Sequence, residues 1–395
     1  MINVMSGNVM PWMTSEQALA ALGTKPQSLY ASVSRGRIRA RPDPADARKS
    51  LYDQDDIERL ARRAAGRRAH QSIAADAIRW GDPVLPTSIS TIVGGALYYR
   101  GRDAIALATH ASLEQVATLL WEAPRMDFVA PSKPAVLDSG GSPLHRAFAA
   151  LTDRASADPP AHGRARHDLQ VEAAGLVGTL AVALGAAAGP APLHRRLAAA
   201  WRRPEAAQQL RRALVLLAEH ELNASTFAAR ITASTGASVA AALLSGLATL
   251  TGPLHGNAAA GVAELVTRTS RDGAASLAAW GIRDRPLPGF GHRLYPGGDP
   301  RASAMLADFA LPPAYAAFAA LGRELTGEAP NIDFALAALA AAFTLPADAP
   351  LILFALARSV GWLAHALEQL ETGTLIRPRA NYVGVAPAVE NDDLN

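Results

Sequence analysis

The chain has 395 residues, half of them hydrophobic and only 18% charged, with 38 Lys and Arg against 35 Asp and Glu. That length holds more than one ordinary domain and a sizeable core, and the composition excludes a disordered or collagen-like chain. The absence of cysteine excludes disulfides, thiolate nucleophiles and Cys-ligated zinc or iron–sulfur centres.

The opening "MINVMSGNVMPWM" has neither a basic start nor a continuous apolar run, so no secretory signal is expected. Residues 1–80 carry 13 Lys and Arg against 8 Asp and Glu, a net of +5, which leaves −2 of the total +3 for residues 81–395. The basic character therefore sits at the N-terminus and points to a separate partner there. In "MTSEQALAALGTKPQSLYASVSRGRIRA", Thr14 with Gln17 forms a capping box, and Ala18, Leu19 and Leu22 make an apolar stripe. Gly23 breaks that helix, a second begins at Thr24 or Lys25 with Pro26 in its first turn, and Gly36 ends it. "RIRARPDPADARKSLY" reads as a basic two-stranded wing, and "DQDDIERLARRA" as a third helix capped by Asp53. This order resembles the winged helix-turn-helix of excisionase and MerR-type regulators over roughly residues 12–63. The resemblance implies that Gln27, Ser28, Tyr30 and Ser32 approach base edges in the major groove, while Arg35, Arg37, Arg39, Arg48 and Lys49 meet phosphates. The competing reading is a small helical cap or protein-contact module with solvated arginines. "RRAAGRRAHQS", Arg62 to Ser72, reads as a linker.

Alanine is abundant and β-branched runs are few beyond this point, which favours helix. Two uncharged stretches, Ala173–Leu193 and Ile231–Leu254, are rich in small residues rather than Leu and Ile, so buried core or interface helices are expected in place of membrane spans. A cytoplasmic protein follows as the default expectation.

Five segments carry chemistry. "AEHELNASTFAAR", Ala218 to Arg230, reads as a helical stretch with His220 beside a carboxylate, a pattern more often belonging to a core residue. In "TGPLHGNAAAGVAEL", Thr251 to Leu265, His255 precedes a new helix, whose positive end keeps an imidazole neutral. "PLPGFGHRLYPGGDPRA", Pro286 to Ala302, is a Gly- and Pro-broken loop containing His292, Arg301 and an aspartate. "PNIDFALAAL", Pro330 to Leu339, opens an apolar helix with Asp333, ordinarily a capping position. Finally "ALARSVGWLAHALEQLETGTLIRPRANYVG" buries Arg358 in an apolar helix, where it needs an anion, and places Arg377 before a proline.

Taken in this order, and with "SISTIVGGALYYRGRDAIALATHASLEQVATLLWEAP" ahead of them, these motifs resemble the citrate synthase family from Leu85 to Gly384. The resemblance implies an all-α, two-domain homodimer with a cleft between a large and a small domain. It implies boundaries of 1–66 for the winged module and linker, 67–256 for the first part of the large domain, 257–355 for the small domain and 356–395 for the large domain's C-terminal part. It implies Asp333 as the base that deprotonates acetyl-CoA, His255 as donor to the thioester oxygen, and His292 as the group that polarises the ketone of oxaloacetate. His220, Arg301, Arg358 and Arg377 match the carboxylate-binding set, Arg377 being supplied across the dimer interface. Acetyl-CoA is then a substrate, and neither a cofactor nor a metal is implied. The chain departs from the family pattern at Gly256-Asn257-Ala258-Ala259, at Ala335-Leu336-Ala337 and at Pro296-Gly297-Gly298, which leaves the acyl group open. Three functions are expected to compete: a citrate synthase of the tricarboxylic acid cycle, a 2-methylcitrate synthase or other acyl-CoA/keto-acid condensation, and a DNA-binding metabolite sensor on the same fold.

Overall fold

The computed structural model describes residues 12–34, 38–43, 46–58, 60, 85–130, 140–252, 255–256, 258–273, 275–277, 287–380 and 382–385. The chain divides into two compact units, Met1–Pro86 with Arg379–Asn395, and Thr87–Pro378. The boundary expected at residue 66 lies outside the described residues.

In the first unit the order is β1 (Trp12–Met13), α1 (Ser15–Leu22), α2 (Pro26–Ser34), β2 (Ala40–Asp43) and β3 (Asp46–Asp53), followed by helical residues 54–58. Thr14 and Gln17 close the expected capping box, and Gly23 ends α1 with φ 57°, a left-handed conformation that favours glycine. The Asp53 carboxylate accepts from the Asp56 N–H at 3.1 Å, the cap expected for the third helix. The expected two-stranded wing is instead a three-stranded antiparallel sheet, because β1 pairs with β3 and gives the order β1–β3–β2. Strand residues Trp12 and Met13 lie ahead of the first helix, where two residues leave no readable alternation. Ala18, Leu22, Leu29, Ile38, Tyr52 and Ile57 form this unit's own core.

The second unit opens with a small antiparallel sheet that the sequence pattern did not announce, β4 (Ser90–Val93), β5 (Ala96–Tyr99) and β6 (Arg102–Asp103). Helices follow: α3 (Ala104–His110), α4 (Leu113–Trp121), α5 (Pro143–Ala157), α6 (Arg166–Ala183), α7 (Leu193–Ala200), α8 (Ala207–Leu217), α9 (Ala224–Ser234), α10 (Val239–Leu250), α11 (Ala258–Asp272), α12 (Pro300–Leu306), α13 (Pro313–Thr326), α14 (Ile332–Ala342) and α15 (Ala349–Thr372). Side-chain caps start many of them: Ser112 on α4, Ser142 on α5, Asn223 on α9, Ser238 on α10 and Asn331 on α14. The fold of this unit is helical, as expected, around one continuous core that runs from Ile89 to Leu367.

The two uncharged stretches fall largely on α6 and on α9 with α10, and both contribute buried faces to that core. Among the described residues, the helix long and apolar enough to cross a membrane is α15, with hydropathy 1.5 over its most apolar window, 94% of which is buried. It is the central strut, packed by α4, α6, α8, α9 and α10. Helices α11, α13 and α14 pack together, and α12 rests on α14. There Phe290, Phe318, Phe334 and Tyr315 form an aromatic cluster, with Phe290–Phe318 centroids 5.6 Å apart and Phe318–Phe334 centroids 6.3 Å apart. Gly322 of α13 lies so close that a Cβ there would overlap the Phe290 ring. Gly322→Ala is therefore expected to lower unfolding free energy by about 1–3 kcal/mol through overpacking, as read from denaturant melts.

Candidate active site

His220 lies between α8 and α9, not within a helix as the sequence pattern suggested. The Tyr99 hydroxyl ends α8: it accepts the Glu219 N–H at 3.3 Å and donates toward the Val215 carbonyl at 3.1 Å. Glu221 then turns the chain at φ 51°, a left-handed value rare outside glycine, and its carboxylate accepts the Ile92 N–H at 2.8 Å. The result is a buried imidazole 5.2 Å, centroid to centroid, from the His292 ring, in edge-on contact.

His292 arrives on the Gly-rich loop between residues 287 and 299. Its Nδ1 accepts the Leu294 N–H at 3.2 Å, so the proton of the neutral ring is on Nε2. Tyr295, three residues further along the same loop, puts its ring 4.8 Å from His292 and its hydroxyl 2.9 Å from His220 Nε2. The loop is pinned to the approach of α14: Gly291 N–H donates to Ala329 O at 2.9 Å, Asn331 N–H to Gly289 O at 2.8 Å, and Asn331 Nδ2 to Gly291 O at 3.0 Å.

Asp299 closes the loop. It caps α12 through the Arg301 N–H at 3.0 Å and holds the Arg301 guanidinium through Nε at 3.0 Å and Nη2 at 2.8 Å. Its Oδ2 also accepts the Ile332 N–H at 3.1 Å, at the start of the helix that carries Asp333. Burial works against the Arg301 charge, yet Asp299 holds its pKa above the ordinary value. Asp299 was not among the residues chosen from sequence, although Asp-Pro before a helix is a readable N-cap.

His255 precedes α11 as expected, and its ring is neutral, with a pKa lowered to about 4. The larger cause is burial, with the positive charge of Arg358 second, rather than the helix terminus invoked from sequence. Nε2 sits 2.7 Å from Ser225 Oγ, which also receives the Trp362 indole N–H at 3.0 Å and lies 2.8 Å from Asn223 Oδ1. His292 is lowered to about 4 by burial and by Arg301, and His220 is pushed well below the imidazole range by burial and then by Arg301 and Arg358.

Asp333 follows its helix cap Asn331, whose Oδ1 accepts the Asp333 N–H at 3.0 Å, so Asp333 itself is released from capping. Its Oδ1 is buried without a hydrogen-bond partner among the described residues. Burial raises its pKa to about 7, with Arg301 and Arg358 opposing and Asp299 reinforcing. Arg358 is buried on α15, donates Nε–H to the Leu217 carbonyl at 2.9 Å, lies 4.8 Å from the Phe354 ring centre and has no ion pair among the described residues. Its pKa falls to about 10 because of burial, despite Glu219. No group of His, Asp and Glu among the described residues is arranged to hold a metal ion.

The mutual electrostatic influence of Arg301, Arg358, His220, His292, His255 and Asp333 places these six in one site. Arg377 is not brought to it: the residue is exposed on the extended segment after α15. The arrangement supplies buried cations for an anion, neutral imidazoles as donors to oxygen, and a carboxylate poised to take a proton.

The sequence profile described as "Citrate synthase, C-terminal domain" matches residues 181–379, just over half of the 395. The chain belongs to the citrate synthase family. Similar relatives include "Putative citrate synthase 2" of Mycobacterium tuberculosis, 41% identical over 187 residues, covering 44% of this chain and 50% of that protein. "2-methylcitrate synthase 1" of Corynebacterium glutamicum is 36% identical over 190 residues, covering 44% of this chain and 49% of that protein. The chain thus spans about half the length of the curated relatives it matches. Among solved structures, citrate synthase from Pyrobaculum aerophilum superposes with a TM-score of 0.64 at 25% identity, covering 77% of this chain and 91% of that one. Citrate synthase of Thermoplasma acidophilum, in ternary complex with carboxymethyl coenzyme A and oxaloacetate, superposes with a TM-score of 0.66 at 24% identity, covering 77% and 95%.

Because folding raises the Asp333 pKa, the folded protein binds that proton more tightly than the unfolded chain. Its stabilising contribution is complete below about pH 4 and is lost as pH rises through about 7. Asp333→Asn is therefore expected to raise the melting temperature relative to wild type at pH 8 and to change it little at pH 4.

Proposed function

We propose that the protein condenses acetyl-CoA with oxaloacetate to give citrate and CoA. The observation that carries this reading is the buried, unpartnered Asp333 oxygen, with its pKa raised to about 7, in the same site as two neutral imidazoles and the unbalanced Arg358 cation. A carboxylate of that basicity removes a methyl proton from the thioester while His255 donates to the developing enolate oxygen. The enolate carbon attacks the ketone of the keto acid, whose oxygen is polarised and then protonated from His292 Nε2. Arg301 and Arg358 bind carboxylates, with His220 beside them. Water then cleaves the citryl thioester, releasing citrate and CoA. The exposed position of Arg377 suits a role in the active site of a second copy, so the reading includes a homodimer.

Free CoA thiol from acetyl-CoA plus oxaloacetate tests this directly, since the protein has no cysteine to react with a thiol reagent. Turnover is expected, with an acid limb of kcat/KM near pH 7 and a fall in kcat of about 100- to 10,000-fold in Asp333→Ala. No thiol release from the wild type with either acetyl-CoA or propionyl-CoA would sink the reading. Release with propionyl-CoA alone would assign 2-methylcitrate synthesis, an activity named for one of the relatives.

The first unit adds a second reading, duplex DNA binding by a winged helix-turn-helix. It is supported by a core separate from the enzyme body and by Gln27, Ser28 and Tyr30 exposed on α2. Arg39 pairs with Asp56 at 2.8 Å and Asp53 at 3.1 Å while its side chain stays exposed, and Arg35 and Arg37 lie outside the described residues. Gel shifts at low salt are expected to show binding that Gln27→Ala with Tyr30→Ala abolishes, with turnover unaffected. A ligand sensor has no use for an enolising base, which favours enzyme over pure sensor.

A further inference from the structure

Glu219 and Glu221 stand on either side of His220, and one side chain of strand β4 holds both. Ser90 is buried, and its Oγ accepts the Glu221 N–H at 3.2 Å and donates to Glu219 Oε1 at 3.1 Å. The partners fix both directions, since an amide N–H only donates and a carboxylate only accepts. The strand reaches the same turn again two residues on, where the Ile92 N–H meets the Glu221 carboxylate at 2.8 Å.

The far side of Glu219 is closed by α15. His365 Nε2 lies 3.3 Å from Glu219 Oε1, and Arg230 Nη1 of α9 lies 3.1 Å from His365 Nδ1. A guanidinium only donates, so Nδ1 carries the lone pair and Nε2 the proton that faces the carboxylate. Arg230 is anchored in turn by Gln369 at 2.7 Å and Glu368 at 2.8 Å, and Glu368 also accepts the Ser88 N–H at 2.7 Å. Gly361 permits the approach, because a Cβ there would overlap Glu219 Oε2. Glu219 is thus gripped by α15 as well as by Ser90. The peptide that follows His220 is tied at both ends: its carbonyl accepts from Asn223 Nδ2 at 3.3 Å, and its N–H, that of Glu221, goes to Ser90. Glu221 is left-handed at φ 51°, a conformation that persists where the surroundings over-determine it.

We propose that Ser90 is a positioning residue that clamps the turn bearing His220 from both sides, so that strand β4, outside the helical scaffold, sets how this imidazole faces the keto acid. The ring it aims stands 5.2 Å from the His292 ring and 2.9 Å, at Nε2, from the Tyr295 hydroxyl. Without the serine hydroxyl the Glu221 N–H loses its acceptor in a buried place, and the turn has reason to relax. The effect on the keto acid rests on the proposed function; the clamp does not.

Two variants of the full chain decide it. Ser90→Ala removes the hydroxyl, and Ser90→Thr keeps it on a residue suited to a strand. In calorimetric titrations Ser90→Ala is expected to weaken oxaloacetate binding about three- to tenfold, the size of one lost hydrogen bond. The KM for oxaloacetate should rise by the same factor, with kcat within about threefold and the KM for acetyl-CoA unchanged. In spectra of histidine-labelled protein the His220 ring signal, assigned by its loss in His220→Gln, should move in Ser90→Ala while that of His194 on α7 stays. Ser90→Thr should restore both affinity and signal. A Ser90→Ala protein that melts earlier yet keeps its affinity and its His220 signal overturns the proposal, because the serine then only stabilises the strand. So does a loss of affinity with the His220 signal in place, or a Ser90→Thr protein that behaves like Ser90→Ala. A wild type that neither binds oxaloacetate nor releases thiol, but whose His220 signal follows the hydroxyl, upholds the clamp and removes the proposed function instead.

Discussion

The Asp299 carboxylate is the constraint on which the site depends. Its two oxygens accept four hydrogen bonds, from the Arg301 N–H, Nε and Nη2 and from the Ile332 N–H. Those bonds join the end of the His292 loop, the first turn of α12 and the first turn of α14. A loop of glycines has many conformations to lose on folding, and this carboxylate selects one. The fork uses one edge of the guanidinium, Nε with Nη2, and leaves the Nη1 donors and the second Nη2 N–H of Arg301 outside it. Because both partners are buried, neither is replaceable alone: removing one leaves the other an uncompensated charge in the interior.

The charge state of everything else follows from what Asp299 does not neutralise. Arg358 is buried on α15 with a carbonyl and an aromatic ring for company, and so remains a cation waiting for an anion. In that field a protonated His220 or His255 would be repelled as well as desolvated, which is why the imidazoles stay neutral and act as donors without being acidic. Asp333 meets the opposite balance. Burial raises its pKa, the two arginines draw it down, and the outcome near 7 is that of a base effective at neutral pH. The missing hydrogen bond at Oδ1 belongs to the same balance, since a donor there would stabilise the carboxylate and weaken it as a base.

Most of the helical architecture was legible because caps and apolar periodicity agree: Thr14 with Gln17, Gly23 as the stop, Asp53 before the third helix. The small β4–β5–β6 sheet was not, because strands of two to four residues carry no period to read. Of the site, His220, His255, His292, Arg301, Asp333 and Arg358 were legible from their motifs, and the structure gathers all six. Their supports were not. Ser225 and Trp362 lie 137 residues apart and meet only through folding. Tyr295 reads as an ordinary core aromatic until His220, 75 residues earlier, is brought to its hydroxyl. His220 itself looked helical because Ala218 to Arg230 has helix-forming composition; the left-handed Glu221 and the Asn223 cap override that preference locally.

The residues that depart from the family pattern acquire a physical meaning in this frame. Ala335, Leu336 and Ala337 are all buried, as is Ala259 on α11. Helices α11 and α14 pack on each other, and Ala337 is one helical turn beyond Asp333, on its face. The small side chains of Ala259, Ala335 and Ala337 leave room for the two helices to approach closely, and so bear on where α14 sits and where Asp333 is held. For the proposed condensation, a change in acyl preference then acts through the seat of Asp333 as much as through the width of a pocket. The tolerance is narrow: a base displaced by about 1 Å loses on the order of 100-fold in rate, whereas an added methylene in an apolar pocket is worth only about 1–3 kcal/mol. The Asp299 bond to the Ile332 N–H fixes the near end of α14, and the alanines beneath it decide how the rest of the helix follows.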